Sequence, residues 1–474
     1  YTAKTLFPYT TLFRSTYVGS VETHEEWRWI LDAEGKMVHR KIAFNPGFYK
    51  LFDELLVNAR DARIRSIGSA TPIKHIAITV ADGAGGLVIT VENDGSGIPI
   101  EKHAEKQVWV PELIFGHLLT SGNYDKAEEK IVGGKNGYGA KLVNVFSHEF
   151  KVEVRSGDSD IQKYTQIWTD HMSKCGKPSI KKDKGKGFVR ITYTPDLTRF
   201  LGFNKETMLN VLKTRTYELA ALCGKDVKVT WNGAAIASNT FEKFIKLFLR
   251  EGSANLVYEA CGPRWEVAAV LTRCLYDDET GTDDGSRSVS FVNGINTKKG
   301  GKHVDTVVRN VLGDFCEAAA KKKVPVKVGQ IRDAVVFFVN ATIVNPSFDS
   351  QTKETLTTPA AKFGSVFKHE KLSDALMKIG LLEEAQSALE AKSAKDAKRT
   401  DGSKKKTLRG LPKLVDALWA GTAKSPDCTL ILTEGDSAAT SAICGLSVVG
   451  RERFGVFPLR GKLLNVKDIS QEKF

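Results

Sequence analysis

Gly133-Gly-Lys-Asn-Gly-Tyr-Gly-Ala-Lys141 runs straight into the helical pattern Lys141-Leu-Val-Asn-Val-Phe146. A glycine-rich segment that ends at a helix N-terminus points free backbone N–H groups and the positive end of a helix dipole at one place, which suits a chain of phosphates. The segment is neither GxxxxGK[ST] nor a dinucleotide fingerprint following a strand. Taken alone, it also describes a surface loop.

Upstream lies NDGSGIP, Asn93 to Pro99. It follows two β-branched runs, IKHIAITV and GLVITVEN, joined by a glycine-rich turn from Asp82 to Gly86, which predict a hairpin of buried strands. Gly95 and Gly97, at alternate positions just past a strand, mark a place where backbone must come close to a ligand. Asn93 could read an adenine amino group, although an isolated N-D-G-x-G is also an ordinary turn.

Further upstream, Phe48, Leu51, Phe52, Leu55, Leu56 and Ala59 recur at three- and four-residue spacing and predict a half-buried helix from Phe48 to Ile64. Glu54, Asn58 and Asp61 form a separate polar stripe on it. Glu54 and Asn58, four apart, project together. A carboxylate suits the base for a water attacking a phosphoryl group, and a neutral amide can hold magnesium without repelling phosphate. The same spacing also fits a solvated helix face.

Composition frames these motifs. The 474 residues, 42% apolar and 26% charged, exceed one core and predict a multidomain folded protein. No apolar run is long enough for a membrane helix and no signal peptide opens the chain, so an intracellular protein is expected. Cys175, Cys223, Cys261, Cys274, Cys316, Cys428 and Cys444 lack CxxC spacing, so reduced, mostly buried thiols are expected rather than zinc ligands or disulfides. A net charge of +13 permits a polyanionic partner. Thr5 to Ser15 reads as a sequencing-adapter scar, and the chain stops at Phe474 soon after a new module opens, so both ends read as truncated.

Mixed α and β signals run to the turn at Asn232 and Gly233. A second unit begins with the amphipathic FEKFIKLFLR helix, holds strands around Trp265, Val289 and Val335 to Val339, and ends in an Ala/Lys-rich stretch, Glu390 to Lys406. The third opens at CTLILTEGDSAA, where Glu434 ends a strand and a helix begins at Ser437.

The order Glu54 and Asn58, NDGSGIP, SGN at 121–123 and GGKNGYGAK resembles the ATP site shared by gyrase, Hsp90, MutL and histidine kinases. TYVGSVE (16–22), NPSFDSQTKE (345–354), TEGDSA (433–438) and FPLRGKLLNV (457–466) resemble the eukaryotic-type DNA topoisomerase II family specifically. The resemblance implies an α+β and α/β multidomain chain: residues 1–15 a scar, 16–237 a Bergerat-type ATPase sandwich, 238–406 a transducer like ribosomal S5 domain 2, 407–426 a linker, and 427–474 the truncated start of a Rossmann-like Toprim module.

It further implies that Glu54 is the general base, Asn58 the magnesium ligand and Asn93 the adenine contact, with Gly95 and Gly97 shaping the pocket. Ser121, Gly122 and Asn123 would bind sugar and phosphate. Gly134, Lys135, Asn136, Gly137, Tyr138, Gly139, Ala140 and Lys141 would close as a lid over the triphosphate of ATP. Gln351, Thr352 and Lys353 would report nucleotide state to the second unit, Lys353 reaching the γ-phosphate. Lys321, Lys322 and Lys323 resemble a DNA-sensing lysine loop, or else a solvated charge run. Glu434 resembles the first acid of a Toprim site and, with magnesium, would serve DNA cleavage together with aspartates and a tyrosine that these 474 residues do not contain.

Two positions depart from the family pattern: Ala62, where a second asparagine usually helps to hold phosphate, and Arg60, which replaces a small residue and could sit solvated on the helix edge. The expected function is therefore the ATP-hydrolysing clamp of a type II topoisomerase: a nuclear, homodimeric protein on double-stranded DNA, closing with ATP and Mg2+, not membrane-bound, and expected to turn over ATP without relaxing DNA. The alternatives are a MutL- or Hsp90-like clamp, which leaves EGDSA and PLRGK unexplained, and a catalytically compromised DNA-binding fragment.

Overall fold

Asn45 sets the start of the helix that positions everything else. Its side chain accepts from Phe48 N at 3.1 Å, Pro46 occupies the first turn, and Arg63 and Arg65 sit in the last, where cations offset the helix dipole. In the computed structural model this helix, α1 (Pro46–Arg65), buries the whole predicted apolar stripe. It also buries Lys50, Asp53, Glu54, Arg60 and Asp61, so it is covered on its polar side as well. Arg60 is not solvated but 4% exposed: a Cβ on Gly294 would stand 2.1 Å from its Cδ, so the arginine fits only over a bare backbone.

The structure describes residues 18–83, 85–117, 131–134, 137–156, 161–253, 255–276, 288–387 and 413–459. The chain divides into two compact units, Tyr1–Ala385 and Gln386–Phe474. The first unit opens with a hairpin, β1 (His24–Leu31) and β2 (Met37–Phe44). After α1 come β3 (His75–Gly83) and β4 (Gly86–Asp94), antiparallel as predicted, then α2 (Val110–Gly116) and α3 (Gly139–Val145). Next are β5 (Ser147–Ser156), β6 (Gln162–Thr169), β7 (Lys174–Cys175), β8 (Ser179–Lys182), β9 (Phe188–Pro195), α4 (Lys205–Cys223), β10 (Lys228–Trp231) and β11 (Ala234–Ala235).

The strands from β3 to β11 form one sheet in the order β11-β10-β3-β4-β9-β5-β6-β7, with β8 on β6. Alternate residues of the central strands, such as Ile76, Ile78, Ile89, Val91, Val152 and Val154, join Phe48, Phe52 and Leu55 of α1 and Leu212 and Leu219 of α4 in one core.

A five-stranded sheet follows, ordered β12-β13-β16-β14-β15: β12 (Leu256–Ala260), β13 (Trp265–Leu271), β14 (Ser288–Val292), β15 (Ile295–Asn296) and β16 (Val335–Ala341). The predicted FEKFIKLFLR helix is shorter than its periodicity suggested, with α5 (Phe241–Ile245) tightening into a 3-10 turn at Lys246–Phe248. That turn brings Phe248 against Phe338 and Trp29, with ring centroids 4.9 and 5.0 Å away, and hands the chain to a bridge between Leu249 and Leu275. α6 (Lys302–Lys321) covers this sheet.

The second unit is a parallel pair, β17 (Thr429–Thr433) and β18 (Phe454–Pro458), joined by α7 (Asp436–Val449). The helix opens at Asp436, one residue before the predicted start, with Gly435 as its extended N-cap. Its core is small: Ala439, Leu446 and Val456 are buried, while Leu430 and Leu432 remain about half exposed.

None of the seven cysteines forms a disulfide, but only Cys261 and Cys274 are buried, and Cys175 and Cys444 are exposed. Among the described residues no helix is long and apolar enough to cross a membrane. Thr5 to Ser15 and Glu390 to Lys406 lie outside the described residues.

Candidate functional site

Glu54 and Asn58, one turn apart on α1, face a cavity of about 570 Å3. Asn93 at the end of β4, Gly97 beyond it, the start of α3, and Gln351 and Lys353 line the same cavity. Residues spread over some three hundred positions therefore line one cavity. The volume is that of a pocket for a ligand of nucleotide size.

The Glu54 carboxylate lies between two lysines. Lys50 Nζ is 2.9 Å and Lys353 Nζ 3.5 Å from Oε1. Burial pushes the Glu54 pKa up, but the charges of Lys353 and Lys50 outweigh it and leave the carboxyl below its usual range, hence ionised at neutral pH. Behind it lies a second buried ion-pair network. Asp53 takes Lys50 at 3.2 Å and Arg215 Nε at 2.7 Å, and Arg215 reaches on to Glu218 at 3.1 Å and to the Gly294 carbonyl at 2.7 Å. Burial raises the Asp53 pKa, and Arg215 and Lys50 more than reverse it, down to about 2.

The base of the glycine loop is held from both sides. Gly133 N and Gly134 N donate to the Asp61 carboxylate at 3.0 and 2.8 Å, Asn293 Nδ2 donates to the Val132 carbonyl at 3.4 Å, and Lys353 Nζ to the Gly133 carbonyl at 3.3 Å. Glycine is required where backbone meets the site. A Cβ on Gly139 would stand 2.3 Å from Glu54 Oε2, and one on Gly97 would stand 2.2 Å from the Arg155 carbonyl, with Gly97 at φ +76°. Gly95, at φ +114°, would meet Ile73 at 2.7 Å.

α3 points its first turn at this space. Lys141 is 1% exposed and donates from Nζ to the Gly137 carbonyl at 2.7 Å. Burial, with a contribution from Lys106, pushes its pKa down to about 8. Asn93 is 9% exposed and donates from Nδ2 to the Asp94 carbonyl at 2.8 Å.

The other candidates divide. Gly134, Gly137, Tyr138 and Ala140 line the cavity, whereas Thr352 does not, and its methyl group lies beside Gly19. Ser121, Gly122, Asn123, Lys135 and Asn136 lie outside the described residues. Lys321, Lys322 and Lys323 are exposed at the end of α6, with Lys323 at φ +64°. Glu434 belongs to the second unit, where it is exposed past the end of β17. Ala62 does line the cavity, so its missing amide is a change within the site.

Sequence reading gave Asp61 no task, and passed over Lys50 and the ion-pair partners Asp53 and Arg215. Lys50 stands four residues before Glu54, a spacing that ordinarily describes a surface ion pair.

Residues 45–194 match the family of histidine kinase-, DNA gyrase B- and HSP90-like ATPases, and residues 274–407 match DNA gyrase B. The chain is 42% identical to DNA topoisomerase 2 of Pisum sativum, and 40% identical to DNA topoisomerase 2-alpha of Mus musculus, over its whole length. It spans 32% and 31% of those relatives, about a third of their length. The solved ATPase region of Saccharomyces cerevisiae topoisomerase II is 38% identical with a TM-score of 0.71, the match covering 79% of this chain and 94% of that one. The ATPase and transducer domains of Balamuthia mandrillaris DNA topoisomerase II are 33% identical with a TM-score of 0.71, covering 83% and 98%. At 38% identity over nearly the whole of a solved topoisomerase II ATPase region, and about 40% over its full length to the DNA topoisomerase 2 relatives, the chain belongs to the eukaryotic-type DNA topoisomerase II family.

Proposed function

We propose that this chain binds and hydrolyses ATP in the α1 cavity and serves as the nucleotide-operated clamp of a type II DNA topoisomerase. The observation that carries the proposal is the ionised, buried Glu54 held between Lys50 and Lys353 against Gly139 and the start of α3. Glu54 accepts the proton of a water whose oxygen bonds the γ-phosphorus as the bond to the β–γ bridging oxygen breaks. While paired with two lysines it is a weak base. A triphosphate draws Lys353 toward its γ end, and the carboxylate gains basicity as that pairing loosens. Lys141 and the N–H groups of the α3 first turn offset charge on the phosphate oxygens.

Magnesium, when bound, neutralises phosphate charge, and the neutral Asn58 amide beside Glu54 is the donor that fits it. Asn93 and the backbone around Gly95 and Gly97 would receive the base. With Ala62 in the cavity wall, one phosphate-side amide is lost, and weaker ATP binding follows. The DNA gyrase B match over residues 274–407 favours this reading over a MutL- or Hsp90-like clamp.

Double-stranded DNA as partner, closure as a homodimer and a nuclear location belong to the same proposal, supported by the topoisomerase relatives. Lys321 to Lys323 are its DNA-sensing element: exposed cations at a helix end, free to release counterions from phosphate. Glu434, at a strand end before a helix, is its first Toprim acid.

Glu54→Gln tests the central claim. Phosphate release should fall by about 100- to 10,000-fold while nucleotide binding persists; equal turnover would sink the assignment. For the lysines, replacing all three by alanine should lower the slope of log affinity for DNA against log salt by up to about 2.7, at roughly 0.9 per phosphate contact. An unchanged slope would return them to solvent.

A further inference from the structure

Away from the nucleotide cavity, three segments of the first sheet bring His148, His171 and Asp196 together. None of the three lines that cavity. His148 is the extra residue where the β5–β9 register shifts between Ser147 and Glu149, which turns its ring out of the regular alternation. His171 lies in the turn after β6, and Asp196 directly follows β9. The backbone locks them in place: Asp170 N donates to the His148 carbonyl at 3.0 Å, His171 N to Ser147 at 3.1 Å and Asp196 N to Phe146 at 2.9 Å.

The side chains converge. His148 Nε2 is 3.5 Å from Asp196 Oδ1, His171 Nε2 is 3.0 Å from Oδ2, and all three ligand atoms lie within 4.8 Å of one another. Ligands of a tetrahedral zinc ion, with bonds of about 2.0–2.1 Å, stand roughly 3.3 Å apart. We propose that His148 Nε2, His171 Nε2 and an Asp196 carboxylate oxygen form a binding site for a divalent transition metal, zinc in the first place.

The surroundings support the donor set. Asp196 Oδ1 accepts from Thr198 N at 3.1 Å, and Oδ2 accepts from Arg199 Nε at 3.1 Å, so the carboxylate is oriented from behind and keeps those contacts when a metal takes the place of its contacts with the two histidines. Asp170 Oδ1 stands 3.7 Å from His171 Nδ1, on the ring edge opposite Nε2, the side from which a carboxylate can back a metal-bound imidazole.

Asp170, His171 and Met172 all have positive φ, at 54°, 59° and 67°, a run that non-glycine residues adopt only when the surroundings hold it. The His171 side chain is 14% exposed and that of His148 is 51%, which leaves a fourth position open to water. Two imidazoles, one carboxylate and an open position suit zinc, and cobalt as its probe. A metal there fastens the end of α3, through Phe146, to the β6–β7 turn and the end of β9.

The whole chain, stripped with a chelator and titrated with Co2+ and then Zn2+, should take up one metal with the visible d–d bands of a tetrahedral nitrogen and oxygen site, and Zn2+ should raise its unfolding midpoint. His148→Gln, on an exposed strand end, and His171→Gln should each weaken binding by more than about 100-fold, and Asp170→Asn by about 10- to 100-fold, with the midpoint in chelator unchanged for His148→Gln. Failure to bind cobalt or zinc would overturn the proposal. So would a thiolate charge-transfer band, which would place the metal on cysteine, or unchanged affinity in His148→Gln.

Discussion

Glu54 and Glu434 are both acids singled out by motif, and they sit in opposite surroundings. Glu54 is 8% exposed on a helix of 20 residues, with two lysines on one carboxylate oxygen and a glycine backbone against the other. Glu434 is exposed past a strand of five residues in a unit whose buried core is Ala439, Leu446 and Val456. The motif supplies an acid in both places. Among the described residues, Glu54 is the one of the two that lines a cavity, where neighbouring lysines set its charge state and packing fixes its position.

The ion pairs behind the two acids show the widest separation. Arg215 holds Asp53 and Glu218 within 1% exposure of its own side chain, whereas Lys413 meets Asp436 with 53% and 70% of the two side chains exposed. Arg215→Met leaves two carboxylates buried beside the site and should cost about 3–5 kcal/mol in chemical denaturation. Lys413→Ala should cost under about 1 kcal/mol, because water screens the pair and replaces it. Similar losses for the two variants would mean that the network behind Glu54 is as solvated as a surface pair, and the contrast would collapse.

A glycine stands beside each acid's helix as well. Gly139, at the start of α3, has Glu54 Oε2 2.3 Å from where its Cβ would be, while Gly435, the cap of α7, has nothing within 4 Å. Gly139→Ala must push the carboxylate aside, and a displacement near 1 Å can cost about 100-fold in rate. Gly435→Ala should leave ATP turnover within about twofold, since only a cap preference changes there. Phosphate release by both variants measures the difference. Full turnover by Gly139→Ala would show that the carboxylate position is not set by this contact.

Much of this was legible because it is local. A stripe at three- and four-residue spacing gave α1, β-branched runs gave β3 and β4, and glycines before an apolar helix gave the loop and α3. Each signal fits inside about a dozen residues, the range over which periodicity is informative. What escaped depends on chain segments far apart. The partner of Asp53 is Arg215, 162 residues away, and the space for Arg60 exists because Gly294 has no side chain. Lys50 carries a helix-pair spacing that says surface, and only the covering of α1 on its second side makes it part of the site. The strand order β12-β13-β16-β14-β15, with β14 parallel to β16, likewise depends on a crossover that no single strand encodes.

The smallest expected effect sharpens the comparison most, because it reads the cavity's electrostatics without altering its shape. Lys141 is pushed down from 10.5 to about 8 by burial, with Lys106 adding to it. A triphosphate favours the charged ammonium and raises that pKa on binding. Below pH 8 the lysine is already charged, so binding takes up little proton there. Above it, the free protein must first gain a proton, and ATP affinity should fall several-fold per pH unit. Calorimetric titration in buffers of different ionisation enthalpy counts the proton taken up, and Lys141→Met should remove both the uptake and the pH dependence. If Lys141→Met keeps the same uptake, another group at the triphosphate carries the proton, and the first turn of α3 contributes N–H groups but no tunable charge.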